Sequence, residues 1–131
     1  PIFDVAGSAM QAQAVRLNTV ASNLANANSV AGTPEGAYRA KQPVFRAEAV
    51  QGDPTLAGVQ VTEVRDNAAA PVKRYEPGHP LADAQGYVYA PDVDPVAQMV
   101  DMISASRSYQ ANVEVFNSAK ELAVATLNMG R

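Results

Sequence analysis

The single histidine of the chain, His79, is the first candidate for chemistry, because imidazole is a common general base near neutral pH and a common metal ligand. The chain has no cysteine, which excludes thiol nucleophiles, thiolate metal sites and disulfides. One histidine also argues against a His-based metal site or a Ser-His-Asp triad. The sequence Pro77-Gly78-His79-Pro80 predicts a turn, so we interpret His79 as a turn residue that packs or hydrogen-bonds locally.

Two further patterns resemble ligand sites but lack essential parts. Asp92-Val93-Asp94 has the first spacing of a calcium loop, without the central Gly and the closing Glu, and Asp94 is better explained as a helix N-cap. Gly32 and Gly36 are not followed by the Gly-Lys-Ser/Thr of a phosphate loop. We find no paired carboxylates and no nucleophile turn that would make a hydrolase. The sequence therefore predicts no catalytic residue, no cofactor and no metal.

A cluster of asparagines is more informative. Asn18, Asn23, Asn26 and Asn28 lie close together, and Asn is a modest helix former, so the cluster costs helix stability. One interpretation is a helix that frays toward its end. The other is a set of amides that hydrogen-bond to a neighbouring subunit.

The asparagines belong to a helix that we predict over residues 2–28. Four large apolar residues recur every seven residues, at the a positions of a heptad repeat. Smaller side chains lie at the d positions between them. The first set is Phe3, Met10, Leu17 and Leu24, and the second is Ala6, Gln13, Val20 and Ala27. From this pattern the helix is either an ordinary amphipathic helix or a partner in a coiled coil.

Residues 33–94 change character, because prolines and glycines interrupt any helix of useful length. The alternation in Val59–Val64 predicts the best strand, and Val44–Val50, Pro71–Tyr75 and Tyr87–Tyr89 are weaker strand candidates. We predict a small, loop-rich β domain with its own small core, and a flexible connection at Asn67–Ala70.

A second long helix is predicted over residues 95–129. Asp94 suits the N-cap, Pro95 suits the first helical position, and Gly130 suits the position after the end. The domain boundaries are thus 1–32, 33–94 and 95–131. The predicted fold class is α+β, with two long terminal helices that can pair antiparallel and the β domain inserted between them.

Composition favours assembly over catalysis. The 131 residues suit one domain. Hydrophobic residues make up 47% of the chain, but 25 of them are alanines and only 6% of the chain is aromatic, so the core is thin. Two helices alone leave much of each apolar stripe uncovered.

The net charge of −3 without a basic patch argues against nucleic acid. The uncharged stretch Leu17–Pro34 is too rich in Asn to span a membrane, and the absence of a secretory signal, taken alone, predicts the cytoplasm.

Both ends of the chain resemble a known family. RLNTVASNLANANS (Arg16–Ser29) is similar to the N-terminal signature of the bacterial flagellar axial proteins of rod and hook. Asp92–Gly130 is similar to the C-terminal family helix, with SRSYQAN at 106–112 as its most specific part. FDVAGSAM (Phe3–Met10) and YEPGHPLADAQGYVYAPDVDP (Tyr75–Pro95) resemble the short rod members, whereas residues 50–72 match least.

The resemblance implies a structural rod subunit of the flagellar basal body that transmits motor torque through the periplasm. It also implies that the two terminal helices pair as an antiparallel coiled coil. It implies export through the flagellar type III apparatus without a cleaved signal, so the cytoplasmic prediction no longer holds. The implied partners are copies of the chain and other rod proteins, with no nucleic acid and no membrane insertion. The alternative is a soluble helical adaptor or export chaperone, which predicts folded helices in the free monomer, whereas a rod subunit predicts ends that order on assembly.

The resemblance also implies subunit contacts on both helices. On the first helix we predict apolar and amide side chains, namely Phe3, Met10, Leu17, Asn18, Val20, Asn23, Leu24 and Asn26. On the last helix we predict apolar positions and the polar run that interrupts them, namely Met99, Ile103, Arg107, Tyr109, Gln110, Asn112, Val113, Phe116 and Leu127.

Overall fold

The computed structural model describes residues 2–50 and 53–130. Along the chain, two helices flank four strands, in the order α1 (Ile2–Ala25), β1 (Lys41–Val50), β2 (Asp53–Asp66), β3 (Val72–Tyr75), β4 (Tyr87–Ala90) and α2 (Pro95–Met129). The strands form two separate two-stranded antiparallel sheets, β1–β2 and β3–β4. The α+β prediction is therefore confirmed.

Helix α1 ends three residues before the predicted end at residue 28. Both the backbone N–H and the side-chain Nδ2 of Asn26 donate to the carbonyl of Ser22, at 3.1 and 2.9 Å, and residues 26–28 form a turn. Asparagine favours helix ends because its side chain competes for backbone hydrogen bonds.

The β1–β2 hairpin packs against α1. Ser8 Oγ of α1 accepts a 3.0 Å hydrogen bond from the N–H of Val59, and a Cβ placed on Gly58 would lie 2.9 Å from that oxygen. The two strands keep a regular antiparallel register, apart from irregularities between Val44 and Phe45 and between Ala49 and Val50. All of the predicted strand Val59–Val64 lies in β2, and Val44–Val50 lies in β1.

The β3–β4 sheet belongs to a second packing unit. Ala31 and Tyr89 exchange backbone hydrogen bonds of 2.8 and 2.9 Å, which attaches the segment after α1 to β4. The buried residues here are small: Ala37, Ala40, Val88 and Ala90. The inserted region thus has a small core, but its long hairpin uses α1 as its packing surface. In the predicted flexible connection, the carbonyls of Asn67 and Ala69 accept hydrogen bonds from the Arg39 guanidinium, which fastens the connection.

Helix α2 begins as predicted. Asp94 accepts a 3.0 Å hydrogen bond from the N–H of Val96, and Pro95 occupies the first helical position. Gly130 follows the helix with φ −82°, so the helix ends without a left-handed residue. The 35 residues of α2 extend about 50 Å. Neither helix of the described chain is long and apolar enough to cross a membrane.

Contacts between the helices occur in opposite order along the two sequences. Asn23 contacts Gln98, Arg16 contacts Asp101, and Phe3 contacts Phe116. This is the order that antiparallel packing requires. A coiled coil with interlocking side chains remains a prediction.

The buried face of α1 is broader than the predicted stripe. The d-type residues Ala6 and Val20 are buried, and so is Ala27 in the turn after the helix, but Ala12 and Thr19 are buried as well. The large a-type residues of the helix are only partly covered or exposed. Two surfaces of α1 are in use, because the hairpin packs on α1 beside α2.

Candidate assembly surface

Asn23 is the polar centre of the contact between the helices and the inserted region. Its side chain is 2% exposed and makes four hydrogen bonds. Oδ1 accepts from the N–H of Lys41 at 2.9 Å and from the hydroxyl of Tyr38 at 2.8 Å. Nδ2 donates to the carbonyl of Lys41 at 3.0 Å and to Oε1 of Gln98 at 3.1 Å. The Asn23 amide therefore joins α1, the start of β1 and α2.

These four bonds use the full capacity of an amide, which has two donor hydrogens and two acceptor lone pairs. A buried polar group is costly unless it is satisfied in this way. The predicted contact of Asn23 with a neighbouring subunit stays a prediction, and the structure gives the amide a role within the chain. Tyr38 and Gln98 were not predicted as its partners, and the signal in the sequence was the cluster of asparagines near the end of the predicted helix.

Two other contacts align the helices. The guanidinium of Arg16 lies 3.3 Å from a carboxylate oxygen of Asp101, and Phe3 packs edge-on against Phe116 with ring centroids 4.9 Å apart. The ion pair is partly exposed, so it stabilises the pairing by less than about 1 kcal/mol. An edge-to-face aromatic pair contributes about 0.5–1.5 kcal/mol beyond burial. Phe3 lies near the start of α1 and Arg16 in its second half, so with Asn23 near the end the helices are in contact along the length of α1.

The predicted interface residues divide by burial. Val20 and Asn23 are buried, whereas Met10, Leu17, Leu24, Asn26, Asn112, Val113 and Phe116 are half-buried. The remaining ones are exposed, namely Phe3, Asn18, Met99, Ile103, Arg107, Tyr109, Gln110 and Leu127. The structure thus covers one part of the predicted set within the chain and leaves the other part on the surface, although Phe3 is exposed and still packs against Phe116.

Helix α2 is covered far less than α1. Ala105 is its one buried residue, compared with five in α1. Near its start four large apolar side chains are more than half exposed, and near its end Leu122, Leu127 and Met129 are at least 70% exposed. Contiguous exposed apolar surface is uncommon on monomeric proteins and marks interaction sites. Helix α2 is therefore the candidate assembly surface.

The residues examined for chemistry have structural roles. Nδ1 of His79 accepts a 3.0 Å hydrogen bond from the N–H of Leu81, which confirms the interpretation as a locally bonded turn residue. Asp94 caps α2. Within residues 2–50 and 53–130, no three His, Cys, Asp or Glu side chains are grouped as metal ligands would be.

Asp83 organises the turn between β3 and β4. Its Oδ1 accepts hydrogen bonds from the N–H groups of Tyr87 and Gln85, and its Oδ2 accepts from the hydroxyl of Tyr89. The bond from the Tyr87 backbone is the main cause that lowers the pKa of this carboxyl, with smaller contributions from Tyr89, Gln85 and the charge of Lys73. The role is structural, because these partners belong to the β3–β4 sheet or to the turn that connects its strands.

Comparison with known proteins agrees with this architecture. Residues 3–32 match the family model described as flagella basal body rod protein, and residues 84–129 match that of the flagellar basal body rod FlgEFG protein C-terminal region. These matches cover most of α1 and α2. The class that the two helices define is that of flagellar basal-body rod proteins.

Full-length relatives narrow the class. The chain is 55% identical over 130 residues to the flagellar basal-body rod protein FlgC of Salmonella typhimurium, covering 99% of this chain and 96% of the relative. The FlgC proteins of Yersinia enterocolitica and Aquifex aeolicus are 54% and 45% identical, covering 99% and 92% of this chain and 96% and 88% of the relatives. The chain therefore belongs to the FlgC family of flagellar basal-body rod proteins.

Proposed function

We propose that this chain is a subunit of the proximal rod, which polymerises through its terminal helices and transmits motor torque across the periplasm to the hook. The exposure of α2 carries the proposal: a helix of 35 residues with one buried residue is a poor element of an isolated monomer. Its uncovered apolar surface is explained if neighbouring subunits cover it.

The mechanism is open helical assembly. A surface of one copy meets a different surface of the next, so the array extends instead of closing. Within each subunit, α1 and α2 pair as an antiparallel coiled coil. The opposite order of the Asn23–Gln98 and Phe3–Phe116 contacts supports this pairing. A rod carries torque if its subunits resist shear, and a long paired helix distributes the load over many contacts.

The predicted interface residues then have two tasks. The buried and half-buried members, such as Val20 and Phe116, hold the two helices of one subunit together. The exposed members, such as Ile103 and Leu127, contact neighbouring subunits. Copies of the same chain and other rod proteins are the proposed partners. We expect no catalysis, no nucleic-acid binding and no membrane insertion.

Export follows the route implied by the family. The chain passes unfolded through the flagellar type III apparatus, without a cleaved signal, and orders fully at the growing rod. The absence of cysteine is compatible with passage into an oxidising compartment. The small buried area of α2 keeps the cost of unfolding that helix low.

The test is complementation of a deletion strain with an epitope-tagged chain, followed by purification of basal bodies. The rod proposal expects the tagged chain in purified rods and restored swimming. An adaptor or export chaperone would restore swimming while the tagged chain remained outside the rod. That second result would contradict the proposed function.

A further inference from the structure

The β1–β2 hairpin is attached to α1 at two places by polar side chains of the helix. Near the end of α1, Asn23 bonds to both the N–H and the carbonyl of Lys41, at 2.9 and 3.0 Å. Near the start of α1, Ser8 Oγ accepts a 3.0 Å hydrogen bond from the N–H of Val59 and donates one of 2.9 Å to the carbonyl of Val5. In both places, a side chain of α1 binds the backbone of a strand.

The two attachments lie on opposite edges of the hairpin. In an antiparallel pair, the N–H and C=O of one residue point to the same side of its strand. Lys41 is paired with the end of β2, yet its N–H and C=O bond to Asn23, so they point away from β2. Val59 is paired with β1, yet its N–H bonds to Ser8, so it points away from β1. Helix α1 therefore crosses from the outer edge of β1 to the outer edge of β2.

The spacing of the attachments is nearly the same on the helix and on the strand. Ser8 and Asn23 are about 22 Å apart along the axis of α1. Val59 and Asp66, the partner of Lys41, are about 24 Å apart along β2. Both attachments can therefore form together only near one angle between the hairpin and the axis of α1, which we call the tilt of the hairpin.

Packing between the two attachments is too loose to set this tilt. An open groove of about 580 Å³ lies between α1 and β2, and its lining includes Gln11, Ala12 and Val15 of the helix and Val61 and Val64 of the strand. Apolar burial has no preferred direction, whereas a hydrogen bond requires a defined distance and angle. The polar attachments therefore fix the tilt.

Gly58 is the second part of the attachment at Ser8. It is buried, and a Cβ added to it would lie 2.9 Å from Ser8 Oγ and 3.6 Å from Ser8 Cβ. The missing side chain lets the strand approach α1 closely enough for the bond from Val59. The attachment thus needs a hydroxyl on the helix and a glycine on the strand.

We infer that Ser8 is a positioning residue for assembly: it holds the hairpin at one tilt, and the rod takes up the subunit with the hairpin at that tilt. The inference rests on the proposed function. An open array repeats one subunit shape, so each copy presents the same surfaces to the next. Strand β2 has 14 residues, so a change in tilt of about 10° would move its far end by about 8 Å. A hairpin held in place also loses less conformational freedom on binding.

A disulfide between positions 8 and 58 can replace the hydrogen bond and tests the inference. The two Cβ positions are 3.6 Å apart, which suits the separation of about 3.5–4.5 Å in disulfides, and the chain has no native cysteine. Ser8→Cys/Gly58→Cys can form this link, whereas the matched control Ser8→Ala/Gly58→Cys has neither the link nor the hydroxyl. Tagged chains in a deletion strain would be compared for swimming, for the amount of chain in purified rods and for thiol reactivity.

The inference expects Ser8→Cys/Gly58→Cys to enter rods with its thiols oxidised and to restore swimming. Ser8→Ala/Gly58→Cys, and Ser8→Ala by itself, should enter rods about tenfold less, because loss of one hydrogen bond changes an equilibrium by up to about tenfold. Normal incorporation of Ser8→Ala overturns the inference. Free thiols in the exported double-cysteine chain also overturn it, because the two positions then do not meet. An oxidised chain that is excluded from rods overturns it too, because the hairpin must then leave this tilt.

Asp83→Ala separates positioning from stability. It removes three hydrogen bonds from the turn before β4 and leaves the attachment at Ser8 unchanged. This variant should lose at least as much unfolding free energy in urea titration as Ser8→Ala, and it should still enter rods in larger amounts. Equal exclusion of the two variants would mean that Ser8 acts through stability alone, which overturns the inference. Absence of the unmodified tagged chain from rods overturns the proposed function instead.

Discussion

Asn23 of α1 donates a 3.1 Å hydrogen bond through Nδ2 to Oε1 of Gln98 in α2, across 75 residues of sequence. The same amide makes two bonds to the backbone of Lys41 and one to Tyr38. Of its four bonds, three therefore lead to the inserted region and one leads to α2. The amide of Asn23 therefore attaches α1 to the inserted region and to α2 at the same point.

Replacement of Asn23 is expected to destabilise the subunit. Asn23→Ala leaves Lys41, Tyr38 and Gln98 without their buried partner, and an unsatisfied buried group costs about 1–3 kcal/mol. The free energy of unfolding, measured by urea titration with circular dichroism, should fall by at least that amount. The control is Asn18→Ala at an exposed position, with an expected change within about 0.5 kcal/mol. Equal effects of both variants would contradict the structural role of Asn23.

Hydrogen exchange of the free chain should distinguish the two helices. Amides around Thr19–Asn23 should exchange slowly, because this part of α1 is buried against the hairpin and α2. Amides in residues 120–129 should exchange fastest within the helices, since every residue there is exposed. Mass spectrometry of exchanged peptides measures both. This modifies the expectation that both ends order only on assembly, and uniform protection along α2 would argue against a rod subunit.

Leu127→Asp should separate assembly from stability. Leu127 is 71% exposed, so the free chain should lose at most about 0.5 kcal/mol of unfolding free energy. In the rod, a buried unpaired carboxylate would be strongly unfavourable. Complemented cells should be non-motile and secrete no hook protein. Asn128→Asp adds the same charge one residue further on and should swim. Normal swimming with Leu127→Asp would remove this residue from the assembly surface.

Gly58→Ala should weaken the attachment of the hairpin to α1. The added Cβ would lie 2.9 Å from Ser8 Oγ, which also accepts the bond from Val59. Forcing this contact apart should cost about 1–3 kcal/mol of unfolding free energy. Gly78→Ala is the matched control, because its Cβ would meet nothing within 4 Å among the described residues. In thermal melts, Gly58→Ala should have a lower melting temperature than Gly78→Ala. Equal melting temperatures would show that the hairpin does not need the close approach of Gly58 to Ser8.

The turn before β4 should lose stability in acid through Asp83. Hydrogen bonds, chiefly from the Tyr87 backbone, lower the pKa of Asp83 in the folded state relative to its ordinary value of 3.8. The folded state therefore binds this proton less readily than the unfolded state, and stability rises with pH in this window. The contribution is present above the ordinary pKa and is lost as pH falls through the lowered one. A carboxyl-carbon NMR titration should show a midpoint below 3.8 with matching amide shifts at Gln85 and Tyr87. A midpoint at or above the ordinary value would show that these hydrogen bonds do not lower the pKa of Asp83.

Local signals in the sequence were sufficient for the secondary structure. Asp94 and Pro95 predicted the start of α2, the alternation in Val59–Val64 predicted β2, and the heptad spacing predicted α1. Each of these depends on residues within one or two turns or a few strand positions. The boundaries were predicted less well. Strand β2 begins at Asp53, ahead of the predicted Val59, and α1 ends before residue 28, where the Asn26 side chain bonds back to Ser22.

The tertiary structure decided which faces and partners these elements have. The heptad in α1 indicated one apolar stripe, but Ala12 and Thr19 are also buried and the hairpin also contacts α1, and no local pattern encodes that second surface. The sequence shows Asn23 as a residue that lowers helix stability. Only the fold brings Lys41 and Gln98 to it, from 18 and 75 residues away. Backbone propensity and hydrophobic period act over short distances along the chain. The partner of a buried amide depends instead on how distant segments pack, because its hydrogen bonds are satisfied only when those segments meet.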